Sequence, residues 1–172
     1  NRYNLGSVME SYTGACFPGC EVPKWFRYQD YGSKIEKVLA KHRSENRFIG
    51  IALCAAVSFQ DYQDQIKGFI VKCTCEFKNG SFRSFSCTIG GSKRPGIEPR
   101  KIESDHVFVC YTSLLQIKKQ NGTEDKKVCS SSTTASFKFQ VIDCEGQLVK
   151  CEVLKCGFSM VYEPEGTDHY NV

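Results

Sequence analysis

The stretch from Cys16 to Phe26, Cys-Phe-Pro-Gly-Cys-Glu-Val-Pro-Lys-Trp-Phe, holds two of the five prolines and the only tryptophan of this 172-residue chain. Proline fixes φ near about −65° and removes a backbone donor, so two prolines around a glycine bar a helix and leave extended or turning backbone. Phe17, Val22, Trp25 and Phe26 in the same stretch call for burial. The segment is therefore expected to form the first edge of a β core, with Pro18 and Pro23 discouraging the addition of a further strand.

The rest of the chain reads as strands. Lys34 to Leu39 fits a short helix by its spacing of Ile35, Val38 and Leu39 or a strand by its length. Arg47 to Phe59 is apolar on both faces, as in a central strand covered on each side or packed beneath a neighbouring layer. Lys67 to Ile89 reads as a hairpin with Asn79-Gly80 at its tip. Matching the apolar faces favours a three-residue loop, Lys78-Asn79-Gly80, with Gly80 at positive φ, Cys73 opposite Phe85, Val71 opposite Cys87 and Phe69 opposite Ile89. Gly90 to Ser104 is a long Gly- and Pro-bearing loop, Val107 to Ile117 a strand, and Lys118 to Thr134 a second polar loop. Ser136 to Ile142 alternates Phe137, Phe139 and Val141 on one face. Asp143 to Gly146 turns it into strands at Leu148 to Val153 and Gly157 to Tyr162. The pattern predicts an all-β, two-sheet antiparallel sandwich of about eight or nine strands over residues 15–163, preceded by a connector at 1–14 and followed by a polar tail at 164–172. The chain opens on Asn1 rather than Met, as expected of a piece of a longer protein.

Eleven cysteines suggest a disulfide scaffold, but the count is odd. Cys54, Cys73, Cys75, Cys87, Cys110 and Cys151 lie in apolar or alternating runs, where a thiol acts as a small hydrophobe in a reducing compartment. There is no Cys-x-x-Cys, and neither the Cys16/Cys20 nor the Cys151/Cys156 pair has a nearby His, so neither a metal nor a cofactor is expected. The net charge of +4 comes from interleaved Lys, Arg, Asp and Glu, which argues against a nucleic-acid partner. The longest apolar run, Phe48 to Val57, has ten residues, well short of the ~20 that cross a bilayer. The sequons Asn79-Gly80-Ser81 and Asn121-Gly122-Thr123 leave open a secreted, glycan-binding, lectin-like sandwich with paired cysteines.

Five groups of residues, taken in order, resemble one family. They are Phe17-Pro18-Gly19 with Glu21-Val22-Pro23 and Trp25-Phe26; Gly32-Ser33; Phe48 to Ala55; Asp105 to Val109; and Lys155-Cys156-Gly157-Phe158. The resemblance is to the C-terminal jelly-roll/Ig-like domain (C-JID, or post-LRR domain) of plant TIR-type NLR (TIR-NBS-LRR) disease resistance receptors, nearest the subgroup that recognises downy mildew effectors. Two departures are Tyr28, where the family often has His, and Ala40-Lys41, where Pro is common. The resemblance implies a strand at Lys34 to Leu39 and a structural anchor made of Phe17, Pro18, Gly19, Pro23, Trp25, Phe26, Gly32 and Ser33. It also implies a sensor domain that binds a pathogen effector together with the receptor's own leucine-rich repeats, inside the cell, in a receptor that forms a homo-oligomer on activation. The NAD-cleaving chemistry of such receptors belongs to a separate TIR domain.

No catalytic constellation stands out. His42, His106 and His169 are the only histidines, and Asp105 and His106, adjacent on a strand, point to opposite faces. The phosphate-loop, nucleophile-elbow and zincin motifs are missing. A hydrolase on the same scaffold would need a deep pocket with perturbed titrating groups. A sandwich carries its recognition on loops, where Tyr and Arg contribute area and directed hydrogen bonds at modest entropy cost. Effector contacts are accordingly expected at Arg27, Tyr28, Tyr31, Lys93, Arg94, Arg100, Lys118 and Lys119. For Tyr28 and Tyr31, packing beneath a loop is an equal alternative.

Overall fold

The computed structural model describes residues 13–39, 47–59, 68–79, 81–92, 105–113, 116–117 and 134–164. Among these, nine strands form two antiparallel sheets. They are β1 (Thr13–Pro18), β2 (Tyr28–Tyr31), β3 (Lys34–Val38), β4 (Phe48–Ser58), β5 (Phe69–Asn79), β6 (Ser81–Ser92), β7 (His106–Ser113), β8 (Thr134–Asp143) and β9 (Glu152–Tyr162). One sheet runs β1-β7-β4-β9-β2 and the other β3-β8-β5-β6. The expected β-sandwich is what the chain forms, and Lys34–Val38 is the strand that the family resemblance implied.

The period of two explains the core. Ala135, Phe137, Phe139 and Val141 of β8 face Leu53, Ala55, Phe108 and Phe158 of the five-stranded sheet in one buried cluster. Phe137 meets Phe158 across the layers with ring centroids 4.2 Å apart. β4 is central in its sheet and is buried on both faces, as its composition predicts. Leu53 and Ala55 point into the sandwich, while Ala52, Cys54 and Ala56 lie in a second buried cluster on the outer face.

The Pro-bounded segment is the source of that second cluster. β1 is indeed an edge strand. Residues 19–27 then leave it and strap across the outer face of the five-stranded sheet, with Val22 and Phe26 packed over Ala52, Cys54, Ala56 and Val107. Phe26 N–H donates to the Pro23 carbonyl (3.1 Å), and the Gln29 amide donates to the carbonyls of Pro23 (3.0 Å) and Phe26 (3.1 Å), which fixes the strap's turn. The expectation of burial fails for two of the four residues: Phe17 is 38% exposed and Trp25 63%. Phe17 points outward from the edge strand, and Trp25 sits at the apex of the turn, stacked on Phe26 at 4.1 Å. Size alone does not say which side of a strap an aromatic takes.

Three other expectations are corrected. In the β5–β6 hairpin Cys73 faces Cys87 and Cys75 faces Phe85, two residues away from the predicted pairing. The inward faces are still matched, because a shift of two preserves them. β8 lies on the other side of β5, pairing Phe139 with Cys73 and Phe137 with Cys75, so this register sets thiol beside ring in adjacent rows. A bulge between Val71 and Lys72 then carries β6 through Gly90 and Gly91 to Ser92, residues assigned above to a loop. Gly80 lies outside the described residues.

The second correction concerns β7, which stops at Ser113; Gln116 and Ile117 form a helical turn, with Ser113 N–H donating to the Gln116 amide oxygen (3.0 Å). The third concerns β9, which is one continuous strand with Gly157 inside it. Leu148 makes only an isolated bridge to Ile142. Gly157 marks a close approach rather than a strand end, since a Cβ there would lie 2.9 Å from the Tyr28 carbonyl oxygen.

Candidate functional site

Most of the cysteines face the interior and are chemically quiet. The ten described cysteines are free thiols. Burial pushes Cys54, Cys110 and Cys156 up to about 12, and it raises Cys73 as well. Cys87 is raised by its hydrogen bond with Cys75 and by burial. A nucleophile must be a thiolate, so these side chains serve packing rather than attack at neutral pH. Cys20 and Cys144 alone among the described thiols are exposed. His106 opens β7 and is buried, its ring edge-on to Phe59 at 6.3 Å. No group of three or more His, Cys, Asp or Glu among the described residues is placed to hold a metal.

The surface is more informative at the corner where β2 meets the strap. β2 alternates: Tyr28 turns inward and stacks on Phe158 at 4.7 Å, while Tyr31 turns outward and is 81% exposed. Of the two readings open for each tyrosine, packing describes Tyr28, whereas Tyr31 is available for contact. Lys155, opposite Tyr31 on β9, lies over its ring at 4.6 Å and donates to the Glu21 carboxylate at 2.5 Å. Glu21 raises the Lys155 pKa, chiefly through this hydrogen bond. Arg27 is exposed, its guanidinium 5.7 Å from the Tyr28 ring centre, and its N–H donates to Ser159 Oγ at 2.8 Å. Glu21, Tyr31 and Lys155 thus share one corner, held by strap and sheet together, with Arg27 at the other end of β2. The sequence reading missed Glu21 and Lys155, because their pairing spans 134 residues and exists only where the strap crosses the sheet to reach β9.

Lys93, Arg94, Arg100, Lys118 and Lys119 lie outside the described residues. Of the anchor residues, Gly32 has φ +85° and donates to the Leu154 carbonyl (2.8 Å), while the Ser33 carbonyl accepts from Phe139 N–H (2.8 Å). These two residues carry the chain from one sheet to the other. Lys37 on β3 pairs with Asp30 on β2 at 3.3 Å beside that crossing.

Fold and surface together define a β-sandwich module with a quiet thiol-lined interior and an aromatic, charged corner. The chain belongs to the C-JID domain family, whose model matches residues 17–167. Its relatives are TIR-NLR disease resistance proteins. It is 43% identical over 94% of its length to "Disease resistance protein RPS4" and 42% identical over 97% to "Disease resistance-like protein DSC1", both of Arabidopsis thaliana. It is 37% identical over 95% to "Disease resistance protein RPP2B" of the same plant. The chain spans 13–14% of the length of these relatives.

Proposed function

We propose that this domain is the effector-sensing module of an intracellular plant NLR immune receptor. It binds a pathogen effector together with the adjacent leucine-rich repeats, and binding drives receptor homo-oligomerisation and defence signalling. The observation that carries this reading is the family match across residues 17–167, shared with relatives named for disease resistance. Free thiols suit a reducing cell interior, whereas the secreted, glycan-binding alternative needs paired cysteines. Any NAD-cleaving activity resides in a TIR domain elsewhere in the receptor.

The effector contacts are Arg27 and Tyr31 at the β2 corner with Lys93, Arg94, Arg100, Lys118 and Lys119. Tyr28 acts beneath Arg27 by holding β2 against Phe158. The test is to delete residues 13–164 from the full-length receptor and measure effector co-precipitation and effector-dependent cell death in leaf tissue. Both are expected to be lost; retained effector binding overturns the proposal. The contact set has its own test: the triple variant Tyr31→Ala, Arg94→Ala, Arg100→Ala should bind the effector more weakly, and unchanged binding discards those contacts.

A further inference from the structure

The edge of a sheet presents a row of unpaired backbone N–H and C=O groups, and proteins blunt such edges with proline, short strands, inward charges or bulges. Among the described residues the two sheets end on β1, β2, β3 and β6. Three of these are blunted. β1 has six residues and ends on Pro18, which has no N–H to offer. β2 has four residues. β3 has five, and Lys37, on the same face as buried Ile35, is held by Asp30 at 3.3 Å, an inward charge that an added strand would have to accommodate. β6 differs: it has twelve residues and, among the described residues, pairs with β5 alone. The bulge opposite Val71 and Lys72 closes one end of this edge after Thr88, and Arg83 stands at the other end. Between them Ser84-Phe85-Ser86-Cys87-Thr88 carries neither charge nor proline. Phe85 and Cys87 are buried in the core, while Ser84 is exposed and Ser86 and Thr88 are half-buried on the outer face.

We infer that this edge pairs antiparallel with the same edge of a second copy of the chain, centred on Ser86, so that two four-stranded sheets become one continuous sheet. The occupant follows from self-complementarity. A two-fold pairing that keeps core residues beside core residues must be centred on a residue, not between two, because the side-chain period is two. Centred on Ser86, Ser84 meets Thr88 of the second copy, Ser86 meets its own counterpart and Phe85 meets Cys87. Hydroxyl then faces hydroxyl on the outer side and apolar faces apolar on the inner, both favourable cross-strand pairs, and the two Arg83 side chains lie at opposite ends. Centring on Phe85 or Cys87 instead leaves one of the three hydroxyls with none opposite. The other edges being blunted, the pairing closes at two copies rather than propagating. This inference stands on strand geometry and is independent of the effector-sensing reading above.

The experiment is thiol cross-linking of the full-length, effector-free protein, prepared as a mixture of isotopically heavy and light copies, with diamide accepting the two electrons and two protons released as each disulfide closes. Directly opposite residues have Cα atoms about 4.5–5.5 Å apart, within the range that a disulfide bridges. Ser86→Cys, a change of one atom on the outer face, should therefore give a heavy–light peptide linked at position 86. Ser84→Cys or Thr88→Cys alone should link at least about tenfold less, since each lies about 13 Å from its own counterpart in this register, and mixing the two variants should restore the link. Adding Ser86→Lys to that mixture sets like charges face to face at the centre and should abolish it. Absence of the heavy–light link at position 86 overturns the inference, as does equal self-linking by Ser84→Cys, which would report chance collision. Linking that survives Ser86→Lys overturns it too. Capture of position 86 by a different segment or a different protein assigns the edge to that occupant and likewise overturns it. No effector enters the experiment, so failure of effector binding leaves its result standing.

Discussion

At the scale of single residues, the interior thiols give a pH dependence with a definite sign. Cys54 and Cys110 are held protonated up to about 12 by desolvation, against the thiol's ordinary 9.0. Below that ordinary value both folded and unfolded chains keep these protons, and pH does nothing through them. Between about 9 and 12 the unfolded chain loses protons that the folded one retains, so stability falls as pH rises, by up to about 1.4 kcal/mol per pH unit for each such thiol. Urea midpoints taken from neutral pH to about 10.5 should show the decline, and Cys110→Ala should flatten it; an unchanged slope removes this account. Two glycines separate space from conformation. Gly157→Ala drives a Cβ to within 3.0 Å of Val22 and 2.9 Å of the Tyr28 carbonyl, and is expected to cost about 1–3 kcal/mol and loosen the strap. At Gly32 nothing lies within 4 Å, so Gly32→Ala should cost only the left-handed backbone, about 1–2 kcal/mol, and Gly32→Asn less, both read by denaturant titration. Cys73, Cys75, Cys87 and Cys110 were legible because alternation alone places them, whereas buried Cys156 was not foreseen and Cys151 is only half-buried. Trp25 was not, since a large ring can serve the inside or the outside of a strap equally well.

At the scale of elements, strand existence was legible for β4 to β8, left open for β3 and missed for β2, whose tyrosines read as loop residues, and register was not legible. Apolar alternation identifies β5 and β6 and chooses between odd and even pairings, yet every shift of two residues satisfies it. What selects among those is the third strand: β8 brings Phe137 and Phe139 beside Cys75 and Cys73, a contact between segments more than sixty residues apart. Cross-strand NOEs should therefore join Cys73 to Cys87 and Cys75 to Phe85, and cross-peaks from Cys73 to Phe85 as the facing pair would restore the sequence-derived register. The same non-local logic merges two expected strands into β9. Truncating the ring that joins the layers tests the packing: Phe137→Ala should destabilise by about 3–5 kcal/mol in thermal or denaturant unfolding, because its ring meets both Phe158 and Phe77 in the core. A loss under about 1 kcal/mol would mean that the two sheets do not meet there.

At the scale of the whole molecule, the question is what lets eleven cysteines coexist with a fold that uses none of the described ten as a bridge. A domain of this length buries about 70% of its unfolded surface, which is sufficient for a single core without covalent staples. The thiols fill the gaps between rings, as Cys73 and Cys75 do beside Phe139 and Phe137, and the sandwich is closed at its side by the Gly32-Ser33 crossing and the Lys37–Asp30 pair. Stability should then be indifferent to reductant. Removing a native disulfide from a domain costs about 2–5 kcal/mol, equivalent to a fall in Tm of roughly 5 °C or more at this size. Melting the domain with and without dithiothreitol should give transitions that coincide within about 1 °C. A reductant-dependent fall of the larger size would require a bridge that this packing does not contain, and with it an oxidising compartment in place of the cell interior.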